Sequence, residues 1–577
     1  MSTGAELEIK LFDVSAKQDA AHRCDRMQPF CDLTQLNAEG ILPGSYATLE
    51  QDYFRLDGTM APFPDSPQGG SWGLWSNAQS DAAGCYTVPP VLHIRFAGGH
   101  SSVGLTLLFD PLHRDWCSKL RVRWLDASGG VLSAKQFLPT GSVAVLRNKV
   151  EGYYGLELEF LQSSRPFRYL KLYAIDYGMK LLLNGEQLSS AEILEEIDLT
   201  AAAVSINTLQ ATVCSATGEY SPLNSNGIFS VLQQGQRLDS YARLNTQRQY
   251  MGSFYLDSWK SGQKGDLQLC AQDAVGLMDR VQFFGGIYAG VAAQALLREI
   301  FAQCNAQFTM EPALADRKLW GYLPVSSARA ALAQVAFAIG GVVDTSRSDK
   351  IFIGQLPERP TRMIGLERKL QGQRLEQKKA VTAVELTVHS FVKSTEQTKA
   401  FEGTLPCGEA LVLFGEPVCD PVVSGATLLE AGANHLRLSV AAAGTVSVTA
   451  KRYLDNRNIL HRTVAEQSVN LQQNPIRVDN ATLISPQNAA AVADRLVNYY
   501  RWQYRTEFSL LLGSECPADL LVVCSAKGDN LKGMVERVEV DLARGCIVGL
   551  TMVASRIETL TLDYAGELWA GQQMGVL

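Results

Sequence analysis

The sequence predicts a mainly β protein with α+β parts. We expect an N-terminal antiparallel β-sandwich, two β-barrel-like modules, an α/β segment between them and a small inserted β module. Short runs of alternating polar and apolar residues, separated by turns rich in Gly, Pro and Asp, are typical of antiparallel strands. Helical periodicity is concentrated in a central block and in one later stretch. Hydrophobic residues make up 46% and charged residues 19% of the 577 residues, which is the composition of a globular chain.

Charge and composition exclude several classes of function. A net charge of -7 does not predict the basic surface that a nucleic-acid backbone requires. The first twenty residues lack the apolar core of a signal peptide, and no apolar run reaches the roughly 20 residues that span a bilayer. The twelve cysteines include no Cys-x-x-Cys pair, so we expect neither a metal site nor disulfides. Three of them lie in apolar, strand-like surroundings and are predicted to be buried free thiols: Cys214, Cys270 and Cys524.

The N-terminal sandwich is predicted over residues 46–188, after an irregular polar arm at residues 1–45. Strand-like runs such as "PPVLHIRFAGG", "SSVGLTLLFD" and "GLELEFLQS" follow one another at short, even spacing. In "KLRVRWLD", Leu120, Val122 and Trp124 point to one face of the strand. The intervening arginines point to the other face, which is the pattern of a sheet with one buried side.

The next two segments combine strands and helices. Residues 189–280 contain several alternating runs and are predicted to form the first β-barrel-like module. Residues 281–358 form the α/β segment, in which "VAAQALLREIFAQC" has the periodicity of a mostly apolar helix. Ser326 is the predicted N-cap of the following helix, "ARAALAQVAFAIGG", and Gly340 with the next glycine ends it.

The C-terminal part starts with a charged connector and a strand at residues 359–400. Residues 401–465 are Gly-rich, poor in charge and strand-like, and they are predicted to be an inserted β module. Residues 466–577 supply a second β-barrel-like region with one helix. Two stretches share the plan of a glycine, an alternating strand, a Gly-bearing turn and a second alternating strand: "MGSFYLDSWKSGQKGDLQLCAQD" and "KGMVERVEVDLARGCIVGLTMVA". This similarity favours two related β modules in one chain.

Asp273 is the main candidate for a catalytic carboxylate. It follows the alternating run "GDLQLCAQD" and precedes a helix-like stretch, where an aspartate accepts hydrogen bonds from free helical N–H groups. A catalytic acid would need a partner acid, and nothing in the sequence fixes one. We therefore interpret Asp273 as a helix cap, and we expect asparagine to replace it at a cost of about 1 kcal/mol or less.

No catalytic, cofactor or metal set is recognisable in the sequence. A phosphate-binding Gly-rich loop and a pair of metal-binding histidines at helical spacing are both missing. The chain is therefore predicted to be a non-enzyme without a cofactor. Trp72, Trp75 and Tyr86 lie in a Gly-rich loop of the sandwich, where exposed aromatic rings would stack on a glycan. The simpler interpretation is that all three rings are buried anchors of the loop.

Most of the chain resembles the baseplate hub (tail hub) proteins of tailed phages and phage-like contractile injection systems. The resemblance lies in a strand ending in Ala-x-Asp, a helix, a tyrosine-bearing link, a helix and an Arg-x-Ala-Leu helix that leads into a hairpin. The segments that carry it are "GIFSVLQQGQRLDSYARL", "MGSFYLDSW", "GDLQLCAQDAVGLMDRVQFFGGIYAGVAAQALLREIFAQCN" and "GYLPVSSARAALAQVAFAIGGVVDTSRSDKIFIG". "VDNATLISPQNAAAVADRLVNYYRWQ" and "GDNLKGMVERVEVDLARG" resemble the second barrel region of these hubs. The N-terminal sandwich resembles a discoidin-type domain of phage tails, whereas residues 401–465 depart from the simplest hubs.

This resemblance implies a homotrimer whose two barrel-like modules per chain form a ring with pseudo-sixfold symmetry. Such a ring adapts a sixfold tail tube to a threefold spike. The implied partners are the tail tube, spike or tip, tape-measure and baseplate wedge proteins, with DNA only as cargo in the lumen and no membrane insertion. The implied location is the tail baseplate of a virion or phage-like particle assembled in a bacterial cytoplasm. Two alternatives remain open: a carbohydrate-binding tail adhesin that uses the sandwich, and a tail-associated cell-wall hydrolase.

Overall fold

The computed structural model shows a mainly β protein, which confirms the predicted fold class. It describes residues 3–37, 46–55, 57–68, 72–110, 112–185, 187–214, 218, 220–224, 227–244, 247–262, 266–304, 306–370, 372–464, 473–524 and 530–557.

The elements are numbered in chain order. The first fourteen strands are β1 (Thr3–Phe12), β2 (Ala21–Arg23), β3 (Leu74–Gln79), β4 (Val91–Phe109), β5 (Cys117–Leu125), β6 (Val131–Phe137), β7 (Val143–Ser163), β8 (Tyr169–Asp176), β9 (Gly178–Leu183), β10 (Leu188–Glu196), β11 (Thr208–Val213), β12 (Arg237–Leu244), β13 (Gln247–Ser261) and β14 (Leu267–Gln272). The central strands are β15 (Gln282–Phe283), β16 (Gly286–Ala292), β17 (Phe308–Met310), β18 (Lys318–Leu323), β19 (Ser326–Ser327), β20 (Val342–Asp344) and β21 (Ile351–Gly354). The later strands are β22 (Arg362–Ile364), β23 (Arg374–Gln377), β24 (Ala383–Leu405), β25 (Gly408–Leu413), β26 (Val418–Ser424), β27 (Thr427–Ala431), β28 (His435–Val440), β29 (Gly444–Thr463), β30 (Pro475–Val478), β31 (Tyr504–Leu511), β32 (Leu520–Val523), β33 (Asn530–Asp541) and β34 (Ile547–Ile557). The helices are α1 (Ala16–Asp19), α2 (Ala274–Met278), α3 (Ala293–Cys304), α4 (Pro312–Ala315), α5 (Ala328–Ile339) and α6 (Ala489–Tyr500).

A 13-stranded sheet joins the two regions that were expected to form separate barrel-like modules. Its main path runs β23-β31-β34-β33-β10-β11-β14-β13-β12-β1-β9, with β32 and β22 added beside β33. The first module (β1 and β9–β14) meets the second module (β22, β23 and β31–β34) where β10 pairs antiparallel with β33, Ile193 opposite Val540. Apolar side chains of both modules form one buried cluster. Within the described ranges the path stays open from β23 to β9, so the two modules are halves of one sheet and not separate closed barrels.

The first residues lie in the interior of this sheet, although an irregular arm was predicted at residues 1–45. β1 pairs with β12 on one side and with β9 on the other. Leu7 and Ile9 are almost completely buried. The alternation in "ELEIKLF" gives β1 one apolar face, and its neighbours along the sheet come from more than 160 residues later in the chain. β9 also belongs to this sheet, so the chain leaves the sandwich before residue 189.

The predicted sandwich region forms a seven-stranded sheet. Its order is β3-β8-β4-β7-β5-β6, with β2 paired to β4. The long strands β4 and β7 pair with each other along most of their length. Three register shifts between Arg95 and Gly104 interrupt this pairing. Leu120, Val122 and Trp124 are fully buried, as their alternation predicted. Arg121 and Arg123 form ion pairs with glutamates of β7 on the other face.

His100 links the sandwich to the start of the chain. Its Nδ1 lies 2.8 Å from Asp13 Oδ2, and its Nε2 lies 2.9 Å from Asp19 Oδ1. Asp13 directly follows β1, and Asp19 is the last residue of α1. Burial lowers the pKa of His100, but the hydrogen bonds and charges of Asp19 and Asp13 outweigh it, so this pKa lies above the usual 6.5. The His100 ring therefore joins the sandwich to α1 and to the residue that follows β1.

This contact predicts a pH-dependent stability. Because the pKa of His100 is higher in the folded state, protonation of this residue stabilises the fold. Its contribution to the free energy of unfolding is complete below about pH 6.5 and is lost as the pH rises through the pKa of the folded state. We expect the melting temperature of wild type to fall more between pH 6 and pH 9 than that of His100→Gln, as measured by calorimetry. An equal decrease in melting temperature for both proteins would contradict a stabilising contact between His100 and the two aspartates.

The central segment packs α3 and α5 over short sheets. β17, β21 and β20 form a three-stranded sheet, whereas β15 pairs with β19 and β16 with β18. Of the helices in the described ranges, none is long and apolar enough to cross a membrane. The N-cap of α5 is Ser327, and the prediction of Ser326 was wrong by one residue. Ser327 Oγ accepts a hydrogen bond from Ala330 N, while Ser326 lies opposite Phe283 in the β15–β19 ladder.

The two adjacent serines provide a matched test of this cap. Ser327→Ala is expected to lower the free energy of unfolding by about 1 kcal/mol, because it leaves an N–H group of the first helical turn without its acceptor. Ser326→Ala is expected to change it by less than about 0.5 kcal/mol. Chemical denaturation of both variants measures the difference, and the opposite ranking would show that the cap lies at Ser326.

The region of the predicted inserted module is a long hairpin with a small β unit at its end. β24 and β29 pair over almost their whole length. β25, β28 and β27 form a three-stranded sheet, and β26 joins the outer part of β29. This unit has its own small core, which includes Leu436, Leu438 and Val446. Because β24 runs without a break from residue 383 to residue 405, the hairpin begins before the expected boundary at residue 401.

Candidate functional site at the junction of the two modules

Asp273 lies where the first module meets the α/β segment. It is the N-cap of α2, with Oδ1 accepting a hydrogen bond from Gly276 N at 3.1 Å. Its Oδ2 accepts from Asn207 N at 3.0 Å and from the hydroxyl of Thr345. The side chain is 2% exposed. Asp273 therefore caps a helix and also joins β14 to the segment before β11 and to the turn after β20.

The electrostatics of Asp273 follow from its burial. Burial raises the pKa of this carboxyl to about 6, although hydrogen bonds from Thr345, Asn207 and Gly276 favour the ionised form. All three donors come from the protein itself. With its oxygens engaged and its surface covered, the carboxylate has no access to a substrate, so this geometry does not support a catalytic role.

Arg347 makes the second connection of the junction. Its Nη1 donates to Gly513 O and its Nη2 to Glu515 O, each at 2.8 Å, which joins the turn after β20 to the loop before β32. Its Nε lies 3.5 Å from a carboxylate oxygen of Glu195, which is 1% exposed on β10. Burial raises the pKa of Glu195 to about 7, against the lowering effect of Arg347. The turn at residues 344–348 thus contacts both modules next to the β10–β33 pairing.

This arrangement supports a mechanical role at the junction. Hydrogen bonds and a buried ion pair hold the turn against both modules, so the modules keep a fixed orientation across the β10–β33 pairing. Within the part of the chain described above, no group of three His, Cys, Asp or Glu side chains is placed to hold a metal ion. The sequence predicted the cap at Asp273, but it predicted neither the contact of Asp273 with Thr345 nor the contacts of Arg347 with both modules. The polar turn "DTSRS" is the signal that could have drawn attention to them.

The three aromatic residues proposed as a possible glycan contact are buried. Trp72 and Trp75 are 0% exposed and Tyr86 is 6% exposed. Trp72 and Trp75 pack edge to face at 5.2 Å within an aromatic cluster that also contains Phe30 and Tyr46. Because a sugar ring stacks on a solvent-accessible face, the glycan role of these three side chains was wrong, and the interpretation as loop anchors describes their positions.

A buried ion pair lies beside this aromatic cluster. Lys171 Nζ is 2.6 Å and 2.8 Å from the two carboxylate oxygens of Glu50, and both side chains are almost completely buried. The ammonium group also lies over the rings of Tyr53 and Trp75, at 4.1 Å and 4.7 Å from their centroids. Burial lowers the pKa of Lys171, and the charge of Glu50 opposes this effect. The pair fixes the loop at residues 46–55 to β8.

Comparisons with known proteins give no family assignment. The sequence matches no protein-family model and no curated protein. Solved structures similar to this chain include a 43 kDa tail protein of prophage MuSo2 from Shewanella oneidensis, with 10% identity, a TM-score of 0.36, and coverage of 65% of this chain and 95% of that one. A tail protein from Neisseria meningitidis has 9% identity, a TM-score of 0.37 and coverage of 63% and 91%. Prophage tail protein gp18 from Listeria monocytogenes has 9% identity, a TM-score of 0.37 and coverage of 67% and 94%. At these TM-scores the alignments establish neither a shared fold nor a shared function.

Proposed function

We propose that this chain is a structural baseplate hub of a phage or phage-like tail. In this proposal three copies form a ring that adapts a sixfold tail tube to a threefold spike. The partners are tube, spike, tape-measure and wedge proteins, and DNA passes only as cargo. In this proposal the chain has a structural role in the particle and not a catalytic one.

The observation that carries the proposal is the pair of strand modules within one continuous sheet. Each module contains one hairpin of the shared sequence plan, β13–β14 in the first and β33–β34 in the second. Each hairpin contains one register shift, after Leu256 in the first and after Val535 in the second. A trimer of such chains presents six related units, and contacts between unlike faces close into a ring. The junction at Asp273 and Arg347 would keep the two units of each chain in a fixed relation.

Stoichiometry tests this proposal directly. We expect the chain, produced together with its tube and spike proteins, to form a complex that contains three copies of the 63.0 kDa subunit. Native mass spectrometry measures the copy number, and particle imaging should show threefold symmetry with six similar densities around the axis. Six copies in one ring, or a single copy in the assembled particle, would contradict the proposal.

A further inference from the structure

Glu195 is a buried acid at the junction of the two modules that lacks hydrogen bonds. It lies on β10, opposite Val538 of β33, and is almost completely buried. Among the described residues, neither of its carboxylate oxygens has a hydrogen-bond partner. The cation that faces it is Arg347, whose Nε lies 3.5 Å from one of these oxygens. Ionisation of a carboxyl group in such surroundings is costly, so Glu195 takes up a proton more readily than an exposed acid.

Acidic groups outnumber cations around Glu195. Burial is the main cause of its raised pKa, and the charge of Asp344 on β20 raises this pKa further, against the lowering effect of Arg347. Burial also raises the pKa of Asp344, and the charge of Asp519 in the loop before β32 adds to this effect. Burial raises the pKa of the Cys516 thiol in the same loop to about 12, so this thiol stays neutral. In this cluster three carboxyl groups therefore face one cation, Arg347.

The charged neighbours of Val538 on β33 do not compensate this charge. Arg537 and Glu539 flank Val538, and the alternation of the strand directs both to the opposite face of the sheet. On that face Arg537 pairs with Glu196, with 3.2 Å between Nη1 and Oε1. The charge of Glu195 is therefore balanced only by the turn that carries Arg347.

The turn that carries Arg347 has an uncommon backbone conformation. The φ of Arg347 is 52°, in the left-handed region that residues other than glycine seldom adopt. Its side chain holds the turn in place by donating to Gly513 O and Glu515 O. Such strain persists only where the surrounding contacts maintain it, so a turn of this kind opens more easily when the closed state becomes less favourable.

We propose that the turn at residues 344–348 is a pH-dependent latch between the two modules, which stays closed while Glu195 is protonated and opens more often once Glu195 is ionised. Opening lets water reach the carboxylate of Glu195, which removes the cost of burying its charge. The backbone at Arg347 returns to a common conformation in the same step. The inference concerns a single chain and does not depend on assembly into a ring.

The pKa of Glu195 sets the pH range in which the latch loosens. It rises from the usual 4.5 to about 7 in the folded state, so protonation stabilises the closed latch. This stabilisation is complete below about pH 4.5 and is lost as the pH rises through 7. Between pH 6 and pH 8 the open fraction should therefore increase about tenfold. Asp273, which contacts the same turn through Thr345 and has a pKa of about 6, adds only about a twofold increase over this range.

Hydrogen exchange with mass spectrometry measures this opening in the full chain. The protection of backbone amides, corrected for the intrinsic pH dependence of exchange, reports the open fraction. In wild type, the protection of peptides that contain residues 344–348 should decrease at least about tenfold from pH 6 to pH 8. Peptides from the distal strands β25–β28 are the internal reference, and their protection should change less than about twofold. Unchanged protection of the turn in wild type would overturn the proposal.

Glu195→Gln shows whether Glu195 is the group that controls the latch. Glutamine has the size of the protonated acid and does not ionise, so the decrease in protection should shrink to about twofold. The control Glu196→Gln, on the opposite face of β10, should keep the decrease of wild type. If Glu195→Gln does not fold, Asp344→Asn gives the second test, because loss of this charge lowers the pKa of Glu195 and should move the change in protection to lower pH. An equal decrease in wild type and Glu195→Gln, or an unmoved change in Asp344→Asn, would overturn the proposal.

Discussion

Asp273→Ala is expected to lower the free energy of unfolding by about 4 kcal/mol, measured by chemical denaturation at pH 7. The substitution removes the acceptor of two buried backbone donors, Asn207 N and Gly276 N, and of the partly buried hydroxyl of Thr345. Each buried donor without an acceptor costs about 1–3 kcal/mol. The loss should exceed that of an ordinary helix cap, which is about 1 kcal/mol. A loss of 1 kcal/mol or less would show that the contacts to Asn207 and Thr345 add nothing.

The variant Asp273→Asn distinguishes the contribution of the helix cap from that of the contacts with Asn207 and Thr345. From the sequence alone, Asp273→Asn was expected to cost about 1 kcal/mol or less, because asparagine also caps helices. The structure raises that expectation to about 2 kcal/mol, because the amide has one acceptor oxygen and its NH₂ group would face an N–H donor. Asp266→Asn, in the turn before β14, is the control and should change the stability by less than about 0.5 kcal/mol.

The cost of asparagine should also depend on pH. The folded pKa of Asp273, about 6, lies above its usual value of 3.8, so the folded state binds this proton more tightly than the unfolded state. Protonation of Asp273 therefore contributes fully to the free energy of unfolding below about pH 4, and this contribution is lost as the pH rises through 6. Asp273→Asn cannot show this loss, so its cost should be larger at pH 4 than at pH 7, by up to about 3 kcal/mol. A cost independent of pH would contradict the raised pKa.

Local patterns in the sequence predicted the local features of this fold. The burial of Leu120, Val122 and Trp124 follows from alternation alone. The same alternation places Cys270 on the exposed face of β14, because it lies between the buried residues Leu269 and Ala271. Cys214 is also exposed and Cys524 is partly exposed, so the prediction of buried thiols was wrong for all three. An apolar neighbourhood in sequence does not determine which face of a strand a residue occupies.

Contacts between distant parts of the chain could not be predicted in this way. β1 has a clear apolar face, yet its place between β12 and β9 depends on partners more than 160 residues away. The cap at Asp273 is a local feature and was predicted, whereas Thr345 lies 72 residues later and its contact was not. The single sheet formed by both modules likewise depends on the pairing of β10 with β33, which no local pattern encodes. Alternation predicts that a strand exists and which face is buried, but not which strand lies beside it.

Glu50→Gln is expected to destabilise the sandwich by about 3–5 kcal/mol, because it leaves the ammonium group of Lys171 buried without its carboxylate. The two oxygens of Glu50 lie 2.6 Å and 2.8 Å from Lys171 Nζ, and Asp110, at 4.0 Å, is the nearby acid that remains. Calorimetry of the full chain should show the loss as a lower melting temperature for the transition of the sandwich. The control is Glu402→Gln in the exposed pair with Lys399, where a change of less than about 0.5 kcal/mol is expected.

The double variant Glu50→Gln with Lys171→Met decides what the buried pair contributes. Methionine fills the space of the lysine stem between Tyr53 and Trp75 and removes the unpaired charge, so the double variant should be more stable than Glu50→Gln alone. Recovery of most of the lost stability would show that the cost of the single substitution is that of an isolated buried charge. If the double variant is instead as unstable as the sum of the two single variants, the contacts of Lys171 with the aromatic rings stabilise the loop independently of Glu50.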